Sequence, residues 1–261
     1  MEVCVAQSWS DLQALLFEGA WNERILRYRS PCAFRGLDDA GHRLATSLAR
    51  LGGDSARLER HLIRNFIKYA HRDVVERDSL WHWLSVAQHH GLPTRLLDWT
   101  HSPLVAMHFA TARAEAMERD GAIWSINYER AHRLLPAVVR DALDREGANA
   151  FTTEMLAHTV TTLDSLEAMS AQSFLLFFEP PSIDDRIANQ YALFSVMSSA
   201  AAGVDDWIAR HPALCRKIVV PAALKWEIRD KLDQCNITER VLFPGLDGLS
   251  RWLARQYRAR A

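Results

Sequence analysis

The chain has 261 residues, enough for one large domain with a buried core or for two small ones. Its formal net charge of -1 leaves no global field to gather nucleic acid or an anionic membrane. No apolar run reaches the length of a membrane span, and residues 1–10 lack the basic start and apolar core of a signal peptide, so a soluble, cytoplasmic protein is expected.

The elements follow in chain order. Ser10-x-x-Gln13 has the form of a capping box and opens a helix with Leu12, Leu15 and Leu16 on one face. Arg24 to Arg29 leads into an apolar stretch, Cys32-Ala33-Phe34, a strand ending at Arg35-Gly36. From Asp54 a helical pattern puts Leu58, Leu62, Phe66 and Tyr69-Ala70 on one stripe. Ser79 starts the next helix, with Leu80, Trp83, Leu84 and Ala87 inward; Gly91 stops it and Pro93 prevents its resumption. Ser102-Pro103 begins another, Ser as cap and Pro in the first turn, with Leu104, Met107 and Ala110 at helical spacing. Gly121 to Tyr128 is a strand, and 129–168 is helical but weakly patterned. Ser173 to Phe178, Ala192 to Met197 and Lys217 to Val220 are strands. Helices are expected over 222–235 and 246–258, with Arg240 to Phe243 a short strand between them. No repeat, low-complexity run or linker interrupts the chain. The expectation is a single α+β domain: a small, mainly antiparallel sheet, whole or split, surrounded by helices. Residues 1–19 are a helical extension and 20–261 the domain proper.

The cysteines Cys4, Cys32, Cys215 and Cys235 form no CxxC pair and read as reduced, mostly buried thiols. Cys32 lies near Arg35, but no base is paired with it. Most of the nine tryptophans sit beside Leu or Ile at helical spacing, a core pattern.

Polar groups concentrate between Gln88 and Pro103, in a short connection held at both ends by patterned helices. Such a connection suits a preorganised site. Thr94, Arg95, Asp98, Thr100 and Ser102 can aim donors and acceptors into one cleft, and the free N–H groups after Ser102 suit a phosphate or carboxylate. Each residue alone has a plainer reading. Arg95 and Asp98 can pair and pin the loop; His90 can sit against the last helix carbonyls. Their concentration favours a functional cleft.

Three groups of residues carry a resemblance. Phe34-Arg35-Gly36, the run from Gln88 through Thr100, and Ser102-Pro103-Leu104-Val105-Ala106 with Phe109-Ala110 resemble the FRG domain family, named for its Phe/Tyr-Arg-Gly motif. Phe178-Glu179-Pro180-Pro181, Arg186-Ile187-x-x-Gln190 with Phe194, and Leu242 to Leu249 fit as well. The resemblance spans roughly residues 20 to 255, and the long run is its specific part. In one departure, Ala192 stands where the family has Gly two places after the Gln, which alters how closely a ligand nears the backbone.

The order of motifs is also similar to ADP-ribosyltransferase folds. That similarity implies an ADP-ribosyltransferase-like sheet, NAD as substrate, no metal, and a bacterial defence or toxin-like role. Its catalytic positions are Arg35, Asp98 and Gln190. Its ligand-binding positions are His89, His90, Thr94, Arg95, Trp99, Thr100, Ser102, Arg186 and Tyr191. Arg35 would grip pyrophosphate or a ribose hydroxyl, Trp99 or Tyr191 would stack on nicotinamide, and Gln190 would bond a ribose hydroxyl. Because Gln190 cannot act as a base, the carboxylate falls to Asp98, Glu179 or Asp184. The partners implied are a nucleotide and an unidentified protein or nucleic-acid acceptor, with no membrane.

Two other classes compete. A non-catalytic nucleotide- or protein-binding module is favoured by Gln in place of Glu. A metal-dependent hydrolase could use His82, His89, His90, His101 and His108 with Asp98, but no fixed-spacing ligand set is present. No GxSxG or Cys/His pair marks a covalent hydrolase. Outside the site, Asp247 shapes the turn into the last helix, Arg186 has Asp184-Asp185 as local partners, and Arg251, Arg255, Arg258 and Arg260 form a solvated helix face.

Overall fold

The computed structural model describes residues 1–70 and 79–258. β1 (Glu2–Val5) leads into α1 (Trp9–Phe17). The cap of α1 is Ser8, not Ser10: its hydroxyl accepts from the Asp11 N–H, and the Asp11 carboxylate reaches back to the Gln7 N–H at 2.8 Å. A hairpin of β2 (Trp21–Asn22) and β3 (Arg27–Tyr28) precedes β4 (Cys32–Leu37). Next come α2 (Ser47–Leu51), α3 (Ser55–Ala70), α4 (Leu80–His89), β5 (Leu96–Thr100), α5 (Pro103–Ala110) and β6 (Gly121–Asn127). Ser79 and Ser102 cap α4 and α5, and Gly91 turns the chain with φ 82°, as their sequence signals foretold.

The weakly patterned stretch is mostly helical, as expected, but broken into five short elements, one of them a two-residue strand. These are α6 (Tyr128–His132), α7 (Ala137–Glu146), β7 (Phe151–Thr152), α8 (Thr153–Thr159) and α9 (Leu163–Ala168). Pro136 sets the entry of α7 and left-handed Gly147 its exit. The chain closes with β8 (Leu175–Glu179), α10 (Asp185–Asn189), β9 (Ala192–Met197), α11 (Val204–Arg210), β10 (Cys215–Val220), α12 (Ala222–Gln234), α13 (Glu239–Leu242) and α14 (Leu246–Gln256). Residues 240–243, expected as a strand, lie in α13 and at its end, because the Thr238 hydroxyl accepts from the Val241 N–H and nucleates a turn. Among the described residues, no helix is long and apolar enough to cross a membrane.

The main sheet has eight strands in the order β1-β10-β6-β4-β5-β9-β8-β7, so it is large rather than small. β1 pairs parallel with β10 and β7 parallel with β8; the other neighbours are antiparallel. Three of its strands were not expected: the edges β1 and β7, held by a partner distant in sequence or too short to show alternation, and central β5, which lies in the segment read as a connection between helices. In the middle the pairing nearly fails: β4 meets β5 through the single pair Phe34↔Thr100. β4 pairs with β6 over six residues and β5 with β9 over five, so two well-laced halves meet at a thin seam.

Alternating residues send the core to both faces. Phe177, Leu193, Leu97 and Trp99 pack with Trp124 and Trp207 on one face. Phe178, Phe194 and Leu96 pack with Trp81 and Leu84 on the other, which continues beyond the seam as Phe34, Ile123, Ala106 and Ile228. Gly36 brings α5 onto β4: a Cβ there would lie 2.0 Å from the Ala106 carbonyl oxygen and 2.6 Å from the Ala110 nitrogen. Helix and strand therefore touch backbone to backbone beside Arg35.

The last helix is docked by charge. Arg255, expected on a solvated face, makes a two-pronged bond to Asp233 (2.8 and 2.6 Å) and bonds Glu239 through Nε and Nη2 (2.7 and 2.8 Å). Its position on α14 faces α12 and α13, not water. Arg229, fully buried, donates to His108 Nδ1 at 2.8 Å and lies 3.4 Å from Glu239. Burial works to raise the Glu239 carboxyl, but hydrogen bonds from Arg255 and the charge of Arg229 hold it at about 2. Burial, then Arg229, keeps His108 neutral, its pKa brought down to about 3. Arg251 and Arg258 are exposed, and Arg260 lies outside the described residues.

Candidate functional site

A cavity of about 230 Å³ opens at the seam between β4 and β5. Three separated segments line it: Phe34, Arg35 and Gly36; Gln88, His89 and Asp98 to Thr100 with Phe109; and Arg186, Ile187, Gln190, Ala192 and Phe194. Phe34 and Gly36 face α5, so Arg35 sets off from the opposite side of β4. The parting of the strands lets its guanidinium turn into the gap. There Nη1 donates to the Asp98 carbonyl and lies 3.8 Å from the Asp98 carboxylate. Arg35 Nε is buried with no hydrogen-bond partner. Burial draws this guanidinium below its ordinary pKa, with the Asp98 charge acting against that shift.

Asp98 is the one carboxylate among the described residues lining the cavity, and its side chain is 60% exposed. Both of its oxygens accept from Gln88 Nε2, at 3.1 and 3.0 Å. Gln88 Oε1 accepts from the Thr94 hydroxyl at 2.6 Å. Gln88 had no assigned role in the sequence reading, although it stands ten residues before Asp98 in the same motif. Its place at the end of α4 was the available signal.

His89 lines the cavity and bonds Asp184 through Nε2 at 2.7 Å; burial lowers its pKa, opposed by Asp184. Arg186 also lines it, its guanidinium 5.2 Å from the centre of the Phe243 ring. The Gln190 amide is already engaged, with Nε2 donating to the Leu242 carbonyl at 2.8 Å. The neighbouring Asn189 amide donates to the Val241 carbonyl at 2.8 Å. α13 has only four residues, so its terminal carbonyls lack donors within the helix, and these two amides supply them from α10. Thr100 braces the same corner, its hydroxyl donating to the Gln190 carbonyl at 2.7 Å.

Other candidate residues do not reach the cleft. Thr94 is fully buried and acts through Gln88. Arg95 pairs with buried Glu59 at 2.6 Å and donates to the Ser198 carbonyl, so neither the cleft nor Asp98 receives it. Trp99 borders the cavity along β5, but its indole is buried on the other face, where Nε1 donates to Ser195 Oγ at 2.8 Å. Tyr191 has φ 47° and an exposed side chain outside the cavity lining. Ser102 serves as the α5 cap, and His90 ends α4 on the outer surface. Glu179 lies 3.5 Å from His101, which lowers its carboxyl pKa. The histidines are likewise scattered. Among the described residues, no group of three or more His, Cys, Asp or Glu could hold a metal ion.

The family model of the FRG domain matches residues 30–119. The chain carries an FRG domain. The FRG span contains Arg35, Gly36, Gln88, Thr94 and Asp98, while Arg186, Gln190 and their wall come from beyond it. The motif's two letters thus do different jobs: Arg35 supplies the cation at the seam and Gly36 lets α5 seat against it. No curated protein matches the chain, and no solved structure matches it.

Proposed function

We propose that the cleft of this FRG domain binds NAD and breaks its nicotinamide–ribose bond, in the manner of an ADP-ribosyltransferase. One observation carries the reading: Arg35, Asp98 and Gln190, from three distant segments, border one cavity, and the Arg35 guanidinium keeps a buried Nε without a partner. Arg35 and Arg186 supply cations for the pyrophosphate. Asp98, held from one side by Gln88, turns its remaining lone pairs to the cleft, where a carboxylate stabilises positive charge on the ribose. The C1′–N bond breaks with its electron pair passing to the pyridinium nitrogen, and neutral nicotinamide leaves. Water or an acceptor nucleophile then adds at C1′ and loses its proton to Asp98 or to solvent. Gln190 is a positioning residue in this scheme, since its amide hydrogens are committed to Leu242.

The test is nicotinamide release together with thermal shifts on adding NAD or ADP-ribose. Both ligands are expected to stabilise the protein, and Arg35→Ala to lose that stabilisation while keeping its fold. Asp98→Asn should keep ADP-ribose binding and lose nicotinamide release. No shift with either ligand at millimolar concentration would sink the reading; an unfolded Arg35→Ala would make Arg35 structural. A second reading, a nucleotide-binding module without turnover, is favoured by the commitment of Gln190 and by Asp98 being the single carboxylate at the cavity among the described residues. It predicts stabilisation by both ligands and no nicotinamide release.

A further inference from the structure

The two ends of a glutamine amide have nearly the same shape but opposite hydrogen-bonding character. Gln88 could turn either end towards Asp98, and an amide oxygen there would repel the carboxylate. The surrounding bonds decide the matter. The Leu96 N–H donates to Thr94 Oγ1 at 3.0 Å, which commits a hydroxyl lone pair and leaves the hydroxyl proton for Gln88 Oε1 at 2.6 Å. The Thr94 N–H is tied to Ser47 Oγ at 3.1 Å, and the residue is fully buried, so this hydroxyl has no water to turn to. With its oxygen taken, Gln88 must present Nε2 to Asp98, and it spans both carboxylate oxygens. Every donor and acceptor along Leu96, Thr94, Gln88 and Asp98 has one consistent direction.

We infer that Thr94 and Gln88 are positioning residues that fix the plane of the Asp98 carboxylate in the cleft. This rests on the reading of Asp98 as the working carboxylate there. The inference differs from a ligand-contact role for Thr94, because Thr94 reaches the cleft only through Gln88. A carboxylate free to rotate would misplace its charge relative to the sugar, and displacements of about 1 Å cost on the order of a hundredfold in rate.

The experiment compares wild type with Thr94→Val, Thr94→Ser and Gln88→Met. The first readout needs no ligand: hydrogen exchange and nitrogen shift of the Gln88 side-chain amide by NMR. Wild type and Thr94→Ser should protect those protons at least about tenfold relative to a free amide, and Thr94→Val should lose the protection. The second readout uses NAD and ADP-ribose. Thr94→Val and Gln88→Met should lower the nicotinamide-release kcat by about tenfold or more, with the ADP-ribose dissociation constant changed less than about twofold. Thr94→Ser should restore kcat. Equal exchange in wild type and Thr94→Val overturns the relay, as does unchanged kcat in both Thr94→Val and Gln88→Met. Amide protection lost in Thr94→Val and kept in Thr94→Ser, without nicotinamide release from wild type, supports the relay and overturns the NAD reading instead. Should Thr94→Val not fold, the half-buried Gln88→Met carries the kinetic arm alone.

Discussion

Replacing Gln190 by Glu separates a structural role for this position from a catalytic one. By analogy with a transferase carboxylate, Glu here should create or raise activity. The geometry argues the reverse. Gln190 Nε2 donates to the Leu242 carbonyl at 2.8 Å, at the end of a four-residue helix with no donor of its own for that oxygen. An ionised Glu cannot donate and places like partial charge against the carbonyl. The loss is one hydrogen bond, net about 1 kcal/mol, plus the cost of an orphaned acceptor on buried Leu242, for a total of roughly 2–3 kcal/mol. For a domain of this size that corresponds to a Tm lowered by roughly 5–10 °C. Calorimetry at pH 7 measures it. At about pH 4 a protonated Glu can donate again, so the gap between variant and wild type should narrow there. Nicotinamide release should not rise. A variant as stable as wild type at pH 7, or one that cleaves NAD faster, would refute this account of Gln190.

Gly36→Ala should destabilise by at least about 1–3 kcal/mol, because its Cβ would meet backbone atoms of α5 that no side-chain rotation can clear; an unchanged melting curve would contradict that. Glu59→Ala should cost roughly 3–5 kcal/mol in urea unfolding, since it leaves Arg95 buried without its carboxylate; a loss below about 1 kcal/mol would show that water replaces the pair. His132 is neutral in the fold, with Nδ1 donating to the Asn149 carbonyl at 2.9 Å and Nε2 accepting from the Phe177 N–H at 3.0 Å. Burial brings its pKa down to about 4, against an ordinary 6.5. The unfolded chain therefore takes a proton that the fold refuses, and stability falls as pH drops below 6.5, by about 2 kcal/mol between 6.5 and 5 from this residue. Urea titrations at pH 7, 6 and 5 should show the slope, and His132→Gln should flatten it. A wild-type curve level across that range counts against the assignment.

Signals confined to a few residues were legible in the sequence. Ser79 and the Ser102-Pro103 pair mark helix starts through bonds to residues three places on, and Gly91 stops a helix by its own backbone. β1 was missed because its register is set by β10, more than two hundred residues away, and its Val3 and Val5 are exposed at an edge. Arg240 to Phe243 is apolar enough for a strand, and the Thr238 cap that makes it a turn of helix was overlooked. The convergence of Arg35, Asp98 and Gln190 on one cavity was expected from motif order, but what each bonds to was not. Arg95 finds Glu59 thirty-six residues back, and Gln190 finds Leu242 fifty-two residues on. Such pairings belong to the tertiary fold and have no local trace. They turned three of the site's expected members, Arg95, Trp99 and Gln190, towards structural duties.

The thin join between β4 and β5 has a mechanical corollary. Each leaf of the sheet is firmly laced, so a load across the molecule gathers at the Phe34–Thr100 rung. α5 acts as the spine of this book, tethered by chain to the β5 leaf through Ser102 and seated on the β4 leaf at Gly36. A bulky guest wedging the leaves apart by an ångström would first stretch the guanidinium's hold on the Asp98 carbonyl, before loosening any regular strand ladder. The cation named in the motif is thus also the clasp.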